Sequence, residues 1–200
     1  MRDPFPLPNP PLLQSLIQPF ADYFSLPTLP LHIHEILFSI TLYTTINVFV
    51  SPRLSTYLFP QTYPKLSART KINWDVHVVS FFQSIIICAL ALYVMAVDEE
   101  RKNMNWAGRI WGYTGATGLV QGMAGGYFLW DLALTARYPT VFGYGMLAHA
   151  IAAVCVFSLG FVSYHLCSFA LPYAIARSRQ DGLRRSEGTD PAHRNEVEAV

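Results

Sequence analysis

Apolar residues in this chain run in long blocks, with polar positions confined to short breaks between them. A helix needs about 20 residues to cross the hydrocarbon core of a bilayer, and four blocks reach that length. The first covers about 31–50, entered through His32, His34 and Glu35 and left through Ser51 and Pro52. The second covers about 75–97, between Trp74 and the charged run Asp98-Glu99-Glu100-Arg101-Lys102. The third covers about 113–135, with Trp111 before it and Trp130 near its end, where indole rings settle at a water interface. The fourth, about 142–162, lies inside a stretch (138–176) without a single Asp, Glu, Lys or Arg. As one helix that stretch would measure ~58 Å, about twice the bilayer core. It therefore breaks, with Gly160 or Ser163 as the expected place, and 163–176 is then short for a fifth crossing.

The flanks read differently. Residues 1–30 hold eight of the fourteen prolines, a density that forbids the continuous apolar helix of a secretory signal. Leu12, Leu13, Leu16, Ile17, Phe20 and Phe24 nevertheless recur at helical spacing opposite Gln14, Ser15, Gln18 and Asp22. This predicts a short helix lying in the membrane interface and interrupted at Pro19, against the alternative of a disordered arm. Residues 173–200 are polar and charged and read as a disordered tail. The expected organisation is an N-terminal segment (1–30), a transmembrane domain (31–172) and the tail, in an all-α polytopic bundle.

Composition sharpens this picture. Hydrophobic residues make up 52% of the chain and charged residues 14%, against roughly 25% charged in a typical soluble domain. That excludes a secreted disulfide scaffold, a nucleic-acid binder and a disordered chain. Cys88, Cys155 and Cys167 lie in apolar stretches without metal-knuckle or redox spacing and read as reduced thiols. No Asn-x-Ser/Thr acceptor is present. Seven basic residues on the side of the 98–112 loop and the tail, against five on the other, favour both chain ends in the cytosol.

The intramembrane polar residues carry the candidate chemistry. Gly115, Gly118, Gly122, Gly125 and Gly126 share one face of the third span and predict close helix–helix packing; without a Gly-Lys-Ser/Thr ending they form no phosphate loop. Asp131 lies on the opposite face with Tyr127. It is read either as an interfacial carboxylate pairing with Arg137 or as a binding or catalytic group, since a deep carboxylate costs ~3 kcal/mol or more. His149 in the fourth span, and His77 in the second with Ser80 following on its face, are candidate proton carriers or hydrogen-bond donors. His32-x-His34-Glu35 shows no third or fourth metal ligand, so these residues are read as interfacial and no metal or cofactor is expected. Asp98–Lys102 reads as a solvated loop. Asp131, His77 and His149 are expected to converge on one polar cavity.

Four separated motifs, in order, resemble the TLC-domain family: Tyr63-Pro64-Lys65-Leu66, Lys71-Ile72-Asn73-Trp74-Asp75-Val76-His77-Val78-Val79-Ser80, Gly126-Tyr127-Phe128-Leu129-Trp130-Asp131-Leu132, and Gly143-Tyr144-Gly145-Met146-Leu147-Ala148-His149-Ala150. The resemblance covers roughly residues 35–161 and is nearest to fungal members. It implies a helical bundle whose polar residues line a lipid-accessible cavity. It maps Trp74 and His77 onto the second-helix motif, Asp131 onto the Tyr-Phe-x-x-Asp motif, and His149 onto the histidine of the next helix. Ceramide synthases of this family carry a His-His pair where this chain has His149-Ala150, and an acidic cluster that it lacks. The expected role is therefore membrane-lipid sensing, binding or regulation in the endoplasmic reticulum, with membrane lipids as partners. The alternatives are N-acyl transfer from acyl-CoA, with His149 as base or acyl carrier and Asp131 orienting it, and a carrier or cargo receptor using the glycine face. Because the family pattern fades near Phe161, the chain is expected to be a truncated TLC domain.

Overall fold

The computed structural model describes residues 3–162, and every regular element among them is helical. In chain order these are α1 (Pro11–Tyr23), α2 (Leu29–Thr45), α3 (Ser51–Leu58), α4 (Ala68–Val97), α5 (Glu99–Lys102), α6 (Trp106–Trp111), α7 (Gly115–Arg137), α8 (Pro139–Phe142) and α9 (Tyr144–Ser158). The expected segment at 163–176 and the tail lie outside the described residues.

α1 runs through Pro19 without a break, contrary to the expected interruption. Proline removes one helical hydrogen bond, but Pro19 is exposed, so water can serve the carbonyl left over. The other face of α1 is fixed by Ala21, fully buried, and by Ile17 packed beside Leu26, Leu29 and Ile36.

The first long rod also passes its expected end. α2 continues through a π-helical turn, Ile46–Val50, into α3, giving 30 helical residues from Leu29 to Leu58. Pro52 lacks an N–H, and its ring would collide with the carbonyl four residues back in a regular helix. A wide turn immediately before it absorbs that conflict. α4 likewise starts at Ala68, before the expected 75, with Ser67 Oγ capping the Thr70 N–H at 3.2 Å. Its polar first turns are tied to the first rod. Asp75 accepts from Ser51 Oγ (2.6 Å) and from Tyr63 OH (3.0 Å to each carboxylate oxygen), and Trp74 Nε1 donates to Ser55 Oγ (2.9 Å).

At the far end of α4, Asp98 is fully buried rather than solvated. It accepts from Thr114 Oγ1 at 2.5 Å and from the Arg101 N–H at 3.4 Å, closing the α5–α6 connection like a clasp. Thr114 in turn opens α7 in a reciprocal cap with Thr117.

α7 is the centre of the bundle. Gly118 lies against His32, Gly122 against Glu35, and Gly126 against Ser39 and the Ile36 carbonyl, so α2 and α7 run parallel with their backbones close. Ser39 Oγ donates to the Met123 carbonyl at 2.7 Å. Gly125, expected on the same contact, instead meets Phe161. α4 runs antiparallel to α2, Tyr43 OH donating to Gln83 Oε1. α9 runs antiparallel to α7, with the Phe128 and Phe157 rings in tilted contact and Gln121 Nε2 donating to the Phe157 carbonyl. α9 ends at Ser158 in a 3-10 turn, Leu159–Phe161, at the expected glycine.

Among the described residues, three helical rods are long and apolar enough to cross a membrane: Leu29–Leu58, Ala68–Val97 and Tyr144–Phe161. The expected fourth, α7, is not among them. Its glycines, Gln121 and Asp131 lower its apolarity because protein, rather than lipid, covers much of it.

Four outcomes follow from this structure. Gly126→Ala places a methyl group against the Ile36 carbonyl and should destabilise the detergent-solubilised protein by about 1–3 kcal/mol. Gly145→Ala, which meets nothing within 4 Å, should be neutral or stabilising by up to about 1 kcal/mol, as read by thermal unfolding. In sealed vesicles of a cysteine-free background, Ser67→Cys and Asn103→Cys should label from opposite sides, because α4 separates them by ~45 Å. Finally, burial, reinforced by the Asp75 hydrogen bond and charge, pushes the Tyr63 phenol up from 10.0 to about 12. The folded state thus holds this proton more tightly than the unfolded chain, so the contribution is full below pH 10 and is lost as pH rises towards 12. Melting temperature should fall through that window, and less steeply in Tyr63→Phe.

Candidate functional site

At the end of the bundle where α7 terminates, α4, α7 and α9 surround a cavity of about 310 Å³. His77 and Ser80 enter it from α4, Tyr127, Asp131 and Thr135 from α7, and His149 from α9, with Asn73 at its edge. Val76, Phe128, Val141, Phe142 and Met146 complete the walls. Helical spacing explains the convergence. Residues 73, 77 and 80 recur at i, i+4, i+7, and 127, 131 and 135 at i, i+4, i+8, so each set lies along one helix face. The two faces meet side by side, and antiparallel α9 brings His149 to the same level.

The hydrogen bonds order this wall. Ser80 Oγ donates to the Val76 carbonyl at 2.9 Å. Its single proton being so directed, Tyr127 OH is the donor in the 3.0 Å contact between the two hydroxyls. Tyr127 is held from behind by the edge of Tyr43 and by Trp130. Thr135 Oγ1 donates to the Asp131 backbone carbonyl at 2.9 Å. The Asp131 side chain is buried and makes no hydrogen bond or ion pair to another described residue. Its expected partner Arg137 lies instead over the Tyr138 ring. His77 and His149 are both exposed, so the cavity opens to the outside of the bundle. A carboxylate, two imidazoles and three hydroxyls around a small apolar-walled space can bind a cationic, hydroxyl or amide group and exchange protons with it. His77 and Asn73 also line an adjoining groove of about 450 Å³ walled by Leu54, Leu58, Phe59 and Phe81.

A second polar group lies at the opposite end of the α2–α7 seam, and the sequence reading missed it. His32, His34 and Glu35, expected at the interface, are buried, Glu35 completely. His32 Nε2 stands 2.5 Å from Tyr113 OH and His32 Nδ1 2.9 Å from Glu35 Oε2. A phenol has an ordinary pKa of ~10, so the Tyr113 hydroxyl is protonated at neutral pH. It donates to His32 Nε2, which leaves Nδ1–H to donate to Glu35. The available signal was the match between His32, Glu35 and Ser39 on one helix and Gly118, Gly122 and Gly126 on the other.

A family model described as "TLC domain" matches residues 73–176. The match runs past Phe161, where the sequence motifs fade, into residues outside the described structure. Among known proteins, the chain is 39% identical over 160 residues to an uncharacterised TLC domain-containing protein of Schizosaccharomyces pombe, covering 79% of this chain and 52% of that protein. It is 30% identical over 129 residues to Topoisomerase I damage affected protein 4 of Saccharomyces cerevisiae, covering 64% and 44%. It is also 32% identical over 95 residues to human TLC domain-containing protein 4, covering 48% and 34%. The chain thus spans about half the length, or less, of these curated relatives. No solved structure matches it. With the domain model covering just over half of its residues, the chain belongs to the TLC domain family.

Proposed function

We propose that this protein binds the polar part of a membrane lipid in the cavity between α4, α7 and α9, and through that binding senses or regulates lipid composition in an internal membrane, the endoplasmic reticulum by default. The observation that carries the reading is the gathering of Asp131, His77, His149, Tyr127 and Ser80, from three helices, around one small opening in an otherwise apolar bundle. A buried carboxylate in a membrane helix is costly unless a ligand or partner offsets it. The cavity volume is at the low end for small-molecule sites and suits a headgroup or linkage rather than a whole lipid. The adjoining groove beside His77 is apolar and gives a chain somewhere to lie.

In this reading α7 is the fourth crossing, shielded from lipid by its neighbours, and the start of α2 and the end of α9 face the cytosol. Asp131 lies ~9 Å from the end of α7, a depth that a lipid's polar linkage can reach without leaving the membrane.

The test is the lipid complement of the protein purified into nanodiscs. Asp131→Asn preserves shape and should leave the melting temperature nearly unchanged. It should lower retention of the wild-type lipid at least tenfold, equivalent to about 1.4 kcal/mol. An unchanged complement would overturn the reading. Transfer of an acyl group from acyl-CoA to a long-chain amine, lost in His149→Ala, would replace it with the catalytic one.

A further inference from the structure

We propose that Asp3, His34 and Glu35 form a binding site for a divalent transition-metal ion of the zinc type, held at the end of the bundle opposite the lipid cavity and independent of it. One donor atom from each of the three lies within 4.8 Å of the other two. Asp3 Oδ2 stands 3.9 Å from His34 Nε2 and 3.9 Å from His32 Nδ1. Tetrahedral zinc with ligands at about 2.0–2.1 Å sets its donor atoms ~3.3 Å apart, so rotamer adjustments of roughly 0.5–1.5 Å in donor separation would complete the site.

A second observation points to a ligand. Glu35 is fully buried, yet its Oε1 has no hydrogen-bond partner. A buried carboxylate and imidazole beside a second, partly exposed carboxylate are expensive unless a cation lies among them. Imidazole with carboxylate oxygens is a donor set that suits zinc and its first-row neighbours rather than calcium or magnesium.

The surroundings fit a metal centre as well. His32 Nδ1–H holds Glu35 Oε2 at 2.9 Å and is itself held by Tyr113, which leaves Oε1 as the free donor of an oriented carboxylate. Phe5 packs edge-on against the His34 ring at 5.2 Å, and Asn9 Nδ2 donates to the Pro30 and Leu31 carbonyls at 2.9 and 2.7 Å. The N-terminal segment is thereby laid across the start of α2, bringing Asp3 to the pair. Asp3 is more than 28 residues distant in sequence from both partners, and for that reason the helix motif alone looked incomplete.

Tag-free full-length protein, stripped with a chelator and dialysed at neutral pH, should take up one equivalent of Zn²⁺ by titration calorimetry and elemental analysis. Asp3→Asn and His34→Ala should each weaken binding at least tenfold, while His77→Ala should bind as wild type. Asp3 lies outside the helical core, so Asp3→Asn tests the site even where Glu35→Gln fails to fold. No uptake by the wild-type chain, as expected if Asp3 and Glu35 merely share a proton, would overturn the proposal. So would equal binding by the Asp3 and His34 variants.

Discussion

The close approach of α2 and α7 is the constraint on which the rest of this bundle depends. Inside a membrane, helices gain little from excluding apolar surface and associate through packing and polar contacts. Glycines at 118, 122 and 126 remove the side chains that would hold the two backbones apart, and the space is taken by His32, Glu35 and Ser39 from α2. The seam is consequently both tight and polar. Ser39 bonds directly to the α7 backbone, and the His32–Glu35 pair is sealed by Tyr113. A β-carbon at any of the three glycines would meet an atom of α2 at less than van der Waals distance.

The same packing explains the polarity of α7. With its glycine face against α2, its opposite face is presented to α4 and α9, and it is there that Tyr127, Asp131 and Thr135 line the cavity. A helix so surrounded need not be strongly apolar, which is why α7, though long enough to cross a membrane, is less apolar than the three outer rods. The ends of the bundle are secured separately. Asp75 ties Ser51 and Tyr63 at one end, and Asp98 ties Thr114 at the other. Both carboxylates are structural, and this distinguishes them from Asp131, whose side chain is left facing the cavity.

Much of this was legible in the sequence. Uninterrupted apolar blocks announce membrane helices, and the angular separation of Asp131 from the glycines on α7 already placed packing and cavity on different faces. Helix ends were less legible. Ser51-Pro52 is a stop signal in an isolated helix, but a π turn, whose presence depends on packing along the whole rod, lets the helix continue. Pro19 is tolerated because it faces outward. The burial of His32, Glu35 and Asp98 was hidden for another reason. A polar residue near the end of an apolar block looks interfacial in one dimension, and only the partner helix decides whether water or protein surrounds it. The glycines of α7 and the polar series of α2 lie more than 80 residues apart, so the pairing that buries His32 and Glu35 has no local signature.

The central claim is that the glycine stripe exists to admit polar side chains from α2, and a double-mutant cycle tests it most directly. A methyl group at position 122 would run into Glu35 Oε2. Gly122→Ala should therefore cost markedly less in a Glu35→Ala background than in the wild-type chain, with a coupling of about 1 kcal/mol or more, measured by reversible unfolding in detergent. Additive costs for the two substitutions would contradict the account, because they would mean that position 122 and Glu35 do not meet across the seam.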